Sequence, residues 1–190
     1  MNCEHIGDSS FSGFIEIWKT HKESGCKEQI LSQPNKVLIP GATMLARALA
    51  GNPNSFVNGI RVGYTNVSTY QSPIISTAST QYVPDVTPGG GGLINWATAK
   101  LNVAPVFQAS SGYSESQNVV VFTAIISSAL KSNNVGNGLQ FANNHFIFDL
   151  SLVSDVSGNI LPFSRTKLSS MIQFTNVFDL TVLWGVKFTA

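Results

Sequence analysis

The stretch that decides the fold is Asp179–Phe188, "DLTVLWGVKF". Side chains alternate across a β-strand, so residues two apart share a face. Leu180, Val182, Trp184, Val186 and Phe188 fall on one side, while Thr181, Leu183, Gly185 and Lys187 fall on the other. That pattern predicts a long strand with one apolar face turned to a core, and Trp184 and Phe188 are expected core scaffold residues.

Working outward, the same period recurs. "GFIEIW" (13–18) reads as a strand, Ser24-Gly25 as a turn, and "EQILSQ" (28–33) as its return, a hairpin. A separate third strand is expected at "NKVLI" (35–39) and another at "NGIRVGY" (58–64). "NVVVFTAIIS" (118–127) is a continuous β-branched run of the kind found in buried strands. In "LQFANNHFIFDLSLV" (139–153) the residues Phe146, Phe148, Leu150 and Leu152 alternate against Ile147, Asp149, Ser151 and Val153. Phe146 and Phe148 are therefore expected in the core. "NNVGNG" (133–138) and "SDVSGN" (154–159) read as turns, and "MIQFT" (171–175) as one more strand.

One helix stands out, "PGATMLARALAG" at 40–51, with its body at about 41–50. Pro suits a first helical turn, where its missing N–H has no partner to lose. The alanines are strong helix formers, and Gly51 can take the left-handed conformation that ends a helix. Leu45 and Leu49, spaced i,i+4, are expected to stack on one buried face. Strands, turns and one short helix predict an all-β, mainly antiparallel fold, a β-sandwich or jelly-roll-like barrel. At 190 residues the chain suits a single domain spanning 1–190.

Segment 65–117 breaks the pattern. Its only charges are Asp85, Lys100 and Glu115, it contains four prolines, and "PGGGG" (88–92) holds no regular structure cheaply. It reads as an extended loop or arm inserted in the sandwich, and its length means that it should be functional, partly stranded or ordered by a partner. It also carries Tyr70, Tyr82, Trp96 and Tyr113. Such side chains give large, stiff contact area with a polar handle. Two readings stay open: they pack back on their own sandwich, or they contact neighbouring protein chains or a glycan.

Composition narrows the function classes. Only 11% of residues are charged, against about 25% in ordinary globular chains. A neutral polar surface has little self-repulsion, which favours packing against other chains. The net charge of +1, with Lys and Arg scattered, is unlike a nucleic-acid binder. The longest near-apolar run, "VVVFTAII" (119–126), falls far short of the ~20 residues that a membrane-spanning helix needs. The start "MNCEHIGDSSF" lacks the features of a signal peptide, so a soluble protein made in a cell's cytoplasm is expected. Cys3 and Cys26 are read as reduced thiols, with a local disulfide as the alternative. His5, His21 and His145 show no metal-ligand spacing, and neither a phosphate loop nor a nucleophile elbow occurs. No enzyme activity, metal or cofactor is expected.

The order of these elements resembles small structural proteins of tailed bacteriophages. The first half of the resemblance lies in Asn35, the triplet Val37–Ile39, Gly41, "LARALAG" (45–51) and "IRVG" (60–63). The second lies in Phe146 and Phe148, "SDVSGN", Arg165 and "LTVLWGVKF" (180–188). The middle, 65–117, is longer than that family usually shows. The resemblance implies a virion structural role with other virion proteins as partners, and assembly as a homo-oligomer. Those partners are the major capsid protein, for a decoration or cement protein, or tail, baseplate and fibre components. A carbohydrate-binding attachment module is the alternative from another class, motivated by the four aromatics of the arm.

Overall fold

The computed structural model describes residues 11–52, 55–66, 68, 94–101, 106–109, 117–127, 145–156 and 159–189. They form nine strands and one helix: β1 (Phe11–His21), β2 (Lys27–Val37), α1 (Ile39–Leu49), β3 (Gly59–Thr65), β4 (Ile94–Lys100), β5 (Val106–Ala109), β6 (Gln117–Ile126), β7 (His145–Val156), β8 (Asn159–Phe174) and β9 (Phe178–Thr189). The fold is all-β and antiparallel, with one short helix.

The strand order is β4-β3-β7-β8-β2-β1-β9-β6-β5. Two features bend this sheet into facing halves. The first is β2, a corner strand, which pairs with β1 from Lys27 to Asn35 and with β8 through Lys36 and Val37. The second is Leu101, just past β4, which bridges to Ala124 in β6 and brings the two ends of the strand order together. The contact is a single bridge, and β5 remains the terminal strand of the order.

Asn35 stitches the corner. Its amide nitrogen donates to the carbonyls of Phe14 (3.1 Å) and Gly185 (3.3 Å), and its oxygen accepts from the Ser164 hydroxyl (3.2 Å). One buried side chain thus joins β2 to β1, β9 and β8. Gly13 leaves the room for it, because a Cβ there would overlap the Asn35 amide.

The core lies between the two halves. Trp184 is fully buried, flanked in register by Ile15 of β1 and Phe122 of β6. Leu180, Val182 and Val186 are buried on the same face, and Phe188 packs against the cluster from its margin. Ile60, Val62 and Tyr64 of β3 and Leu150 and Leu152 of β7 supply the opposing wall.

Several elements differ from the sequence reading. Residues 28–33 and 35–39 do not form two strands; β2 runs through Pro34 to Val37. Pro34 is tolerated because it sits where β2 is changing partners rather than in the middle of a two-sided ladder. Segment 65–117 is partly stranded, one of the readings its length left open: residues 94–100 pair along all of β3, and 106–109 pair with β6. Phe148 does not share a face with Leu150. A bulge between Ile147 and Asp149 shifts the register, so Ile147 joins the core cluster and Phe148 is buried outside it. Phe146 is only half-buried. The long strand β8 was legible only at its far end, since Pro162 and a mixed run of Ser, Thr and Lys hide its period.

Candidate interaction surface

Helix α1 covers one end of the sandwich. Leu38 is extended and caps it, Pro40 occupies the first turn, and Gly51 ends it at φ +80°. The helix start is pinned to β8: the Leu38 N–H donates to the Phe163 carbonyl (3.0 Å). Gly41 lies so close to that same carbonyl that a Cβ would collide with it. Met44 is the long side chain that α1 buries, with Leu45 half-buried beside it.

Leu49 corrects the sequence reading. It is 83% exposed and is no core residue. The buried stripe is centred on Met44, and at 3.6 residues per turn Leu49 lies about 140° around the helix from it. Leu45 sits nearer the stripe and keeps its contact with the core.

The outward surface of α1 is therefore unusual for a helix on water. Ile39, Ala42, Ala46, Leu49 and Ala50 are exposed, and Arg47 is its only charged residue. Leu161 of β8, also exposed, lies beside it in a hollow of about 330 Å3 lined with Ile39, Pro40, Thr43, Met44, Arg47 and Ser55. On the inner side of Met44 is an apolar cavity of about 190 Å3, between α1 and strands β6, β8 and β9. Neither wall carries a carboxylate, imidazole or thiol. The polar side chains in these walls are the Ser55 and Thr43 hydroxyls and the Arg47 guanidinium.

The sequence reading missed a buried polar row on the other half of the sheet. Asp149 and Arg165 pair across β7 and β8, with Arg165 Nε donating to Asp149 Oδ1 (3.1 Å) and Oδ2 (2.9 Å) and Nη2 lying 2.8 Å from Oδ2. Asp149 is fully buried and Arg165 is 4% exposed. Arg61 of β3, buried as well, sits in the same register row through Ser151. Burial pushes the Asp149 carboxyl up to about 6, against the opposing pull of the Arg165 hydrogen bond and charge. The available signal was opposite charges placed at alternate positions of otherwise apolar strands. Read by period alone, Asp149 falls on the side opposite Phe148 and Leu150, with nothing to distinguish burial from solvent.

Of the aromatics proposed for contact, Trp96 lies in β4 opposite Gly63 of β3. Tyr70, Tyr82 and Tyr113 lie outside the described residues. His145 opens β7, its ring 5.0 Å from that of Tyr64, and burial lowers its pKa. Cys26 bears a free, exposed thiol in the β1–β2 turn, and Cys3 is outside the described residues. Among the described residues no group of His, Cys, Asp and Glu could hold a metal ion, and no helix is long and apolar enough to cross a membrane. No family model, curated protein or solved structure matches the chain.

Proposed function

We propose that this chain is a non-enzymatic structural component of a tailed-bacteriophage virion, and within the virion a decoration (cement) protein that binds the capsid shell through protein–protein contacts. The observation that carries the assembly reading is the outer face of α1. It leaves Ile39 at 60% and Leu49 at 83% exposure, with Arg47 as the one charge on the helix. Apolar side chains left exposed at both ends of this helix, on a chain of such low charge, favour burial against another protein.

The virion part of the proposal rests on the sequence resemblance. It is supported by where the resembling residues lie. Asn35 holds the corner, Gly41 lets α1 approach β8, Arg165 pairs with buried Asp149, and Trp184 fills the core. A pattern set by such positions describes a scaffold and leaves the surface free to choose neighbours. A tail, baseplate or fibre-adaptor position uses the same surface chemistry.

Purified virions test the proposal. A ~20 kDa band of this sequence is expected in the particles, as the chain's 20.4 kDa mass requires. Hundreds of copies per particle would place it on the shell, and six to a few dozen in the tail. Its absence from washed particles would refute the virion assignment.

A further inference from the structure

The apolar cavity under α1 has the properties of a small-molecule site. Its wall is built from five pieces of chain: Met44 of α1, Val57 before β3, Phe122 of β6, Phe163 of β8, and Val186 and Phe188 of β9. Ala48, one turn beyond Met44, is too short to fill the space. At about 190 Å3, and open to solvent on one side, the cleft compares in size with the ~150 Å3 enclosed apolar cavities that take up benzene. One aromatic ring with one substituent fits.

The chemistry of the wall selects further. It offers no counter-charge, so a charged ligand would lose its hydration without compensation. Ser55 is the single polar side chain in it, and among the described residues its hydroxyl makes no hydrogen bond. Met44 presents an unbranched, polarisable thioether, which packs well against ring edges. Met44 and Ser55 also line the outer hollow, so the two spaces adjoin there.

We propose that this cavity is a binding site for a small uncharged aromatic molecule, one ring bearing a single hydrogen-bonding substituent that the Ser55 hydroxyl meets. The site is independent of any virion role for the chain.

The test is titration of the full chain with toluene, phenol and benzoate, read by methyl NMR at Met44, Val120 and Val186. Toluene and phenol should shift these methyls saturably, while benzoate should not. Ser55→Ala should lower the phenol-to-toluene affinity ratio roughly fivefold, the value of one net hydrogen bond. Val120→Phe and Ala48→Leu each fill the space and should weaken both ligands tenfold or more. Ala48 is exposed at the wall, so its variant keeps the test open if Val120→Phe fails to fold. Absence of saturable shifts with both neutral ligands, or binding unchanged in a folded filling variant, would overturn the site. An unchanged phenol-to-toluene ratio in Ser55→Ala would overturn the role given to Ser55.

Discussion

Removing either half of the Asp149–Arg165 pair should destabilise the protein, but with opposite dependence on pH. Asp149 is fully buried and its carboxyl titrates at about 6 rather than 3.8. Between those values the folded chain holds a proton that the unfolded chain does not. The contribution of this group to stability is therefore full below pH 3.8 and is lost as pH rises through 6. The whole swing is on the order of 3 kcal/mol, of which about 1 kcal/mol falls between pH 7 and pH 5. Asp149→Leu leaves a buried guanidinium that cannot shed its proton, and should cost about 3–5 kcal/mol at pH 7. It also forfeits the gain on acidification, so its deficit should widen by about 1 kcal/mol at pH 5. Arg165→Met should cost a similar ~3–5 kcal/mol at pH 7. There the orphaned carboxyl takes up its proton above pH 6, so the deficit should narrow by about 1 kcal/mol at pH 5. The double variant removes both charges of the pair together and should be equal to the parent or more stable by about 1–4 kcal/mol. Urea unfolding at both pH values, each variant compared with the parent at the same pH, measures all four corners. Deficits for the two single variants that move in parallel with pH would refute the account of Asp149 as a desolvated carboxylate held by Arg165.

Three further outcomes follow from the packing. Asn35→Ala removes the amide's bonds to the carbonyls of Phe14 and Gly185 and to the Ser164 hydroxyl, and should lower stability by about 2–4 kcal/mol in urea melts. Gly41→Ala drives a methyl into the Phe163 carbonyl; a loss of about 1–3 kcal/mol is expected, with amide exchange at Leu38 accelerated as α1 lifts from β8. An unaltered Leu38 exchange rate would show that the helix start is not held there. Trp184→Ala should cost ~3–5 kcal/mol by calorimetry, and a loss below 1 kcal/mol would mean that the central core position is misassigned.

The sequence by itself determined the all-β class, α1 and the inward face of β9. Each depends on a local period or a local residue preference that survives without knowing the rest of the chain. Leu180, Val182, Trp184 and Val186 had to share a face because a strand repeats every two residues, and Gly51 could end α1 because its missing Cβ permits the left-handed backbone.

What the tertiary structure alone decided are the features that depend on which chain lies alongside. Period set Phe148 beside Leu150; Phe148 is buried as expected, but the register shift between Ile147 and Asp149 leaves it outside the main cluster, and a bulge is a property of pairing. Leu49 is as apolar as Leu45, yet α1 is anchored at Gly41 and buries only the stripe around Met44. The strands at 94–100 and 106–109 carry weak local signals and exist because β3 and β6 supply their hydrogen-bond partners. Asp149 could be read as a solvent-facing charge until Arg165 was found on the adjacent strand. The interaction surface belongs with these: Ile39, Leu161 and Leu49 are ordinary apolar residues in sequence, and only the docking of α1 on β8 sets Ile39 beside Leu161 and leaves all three exposed to water.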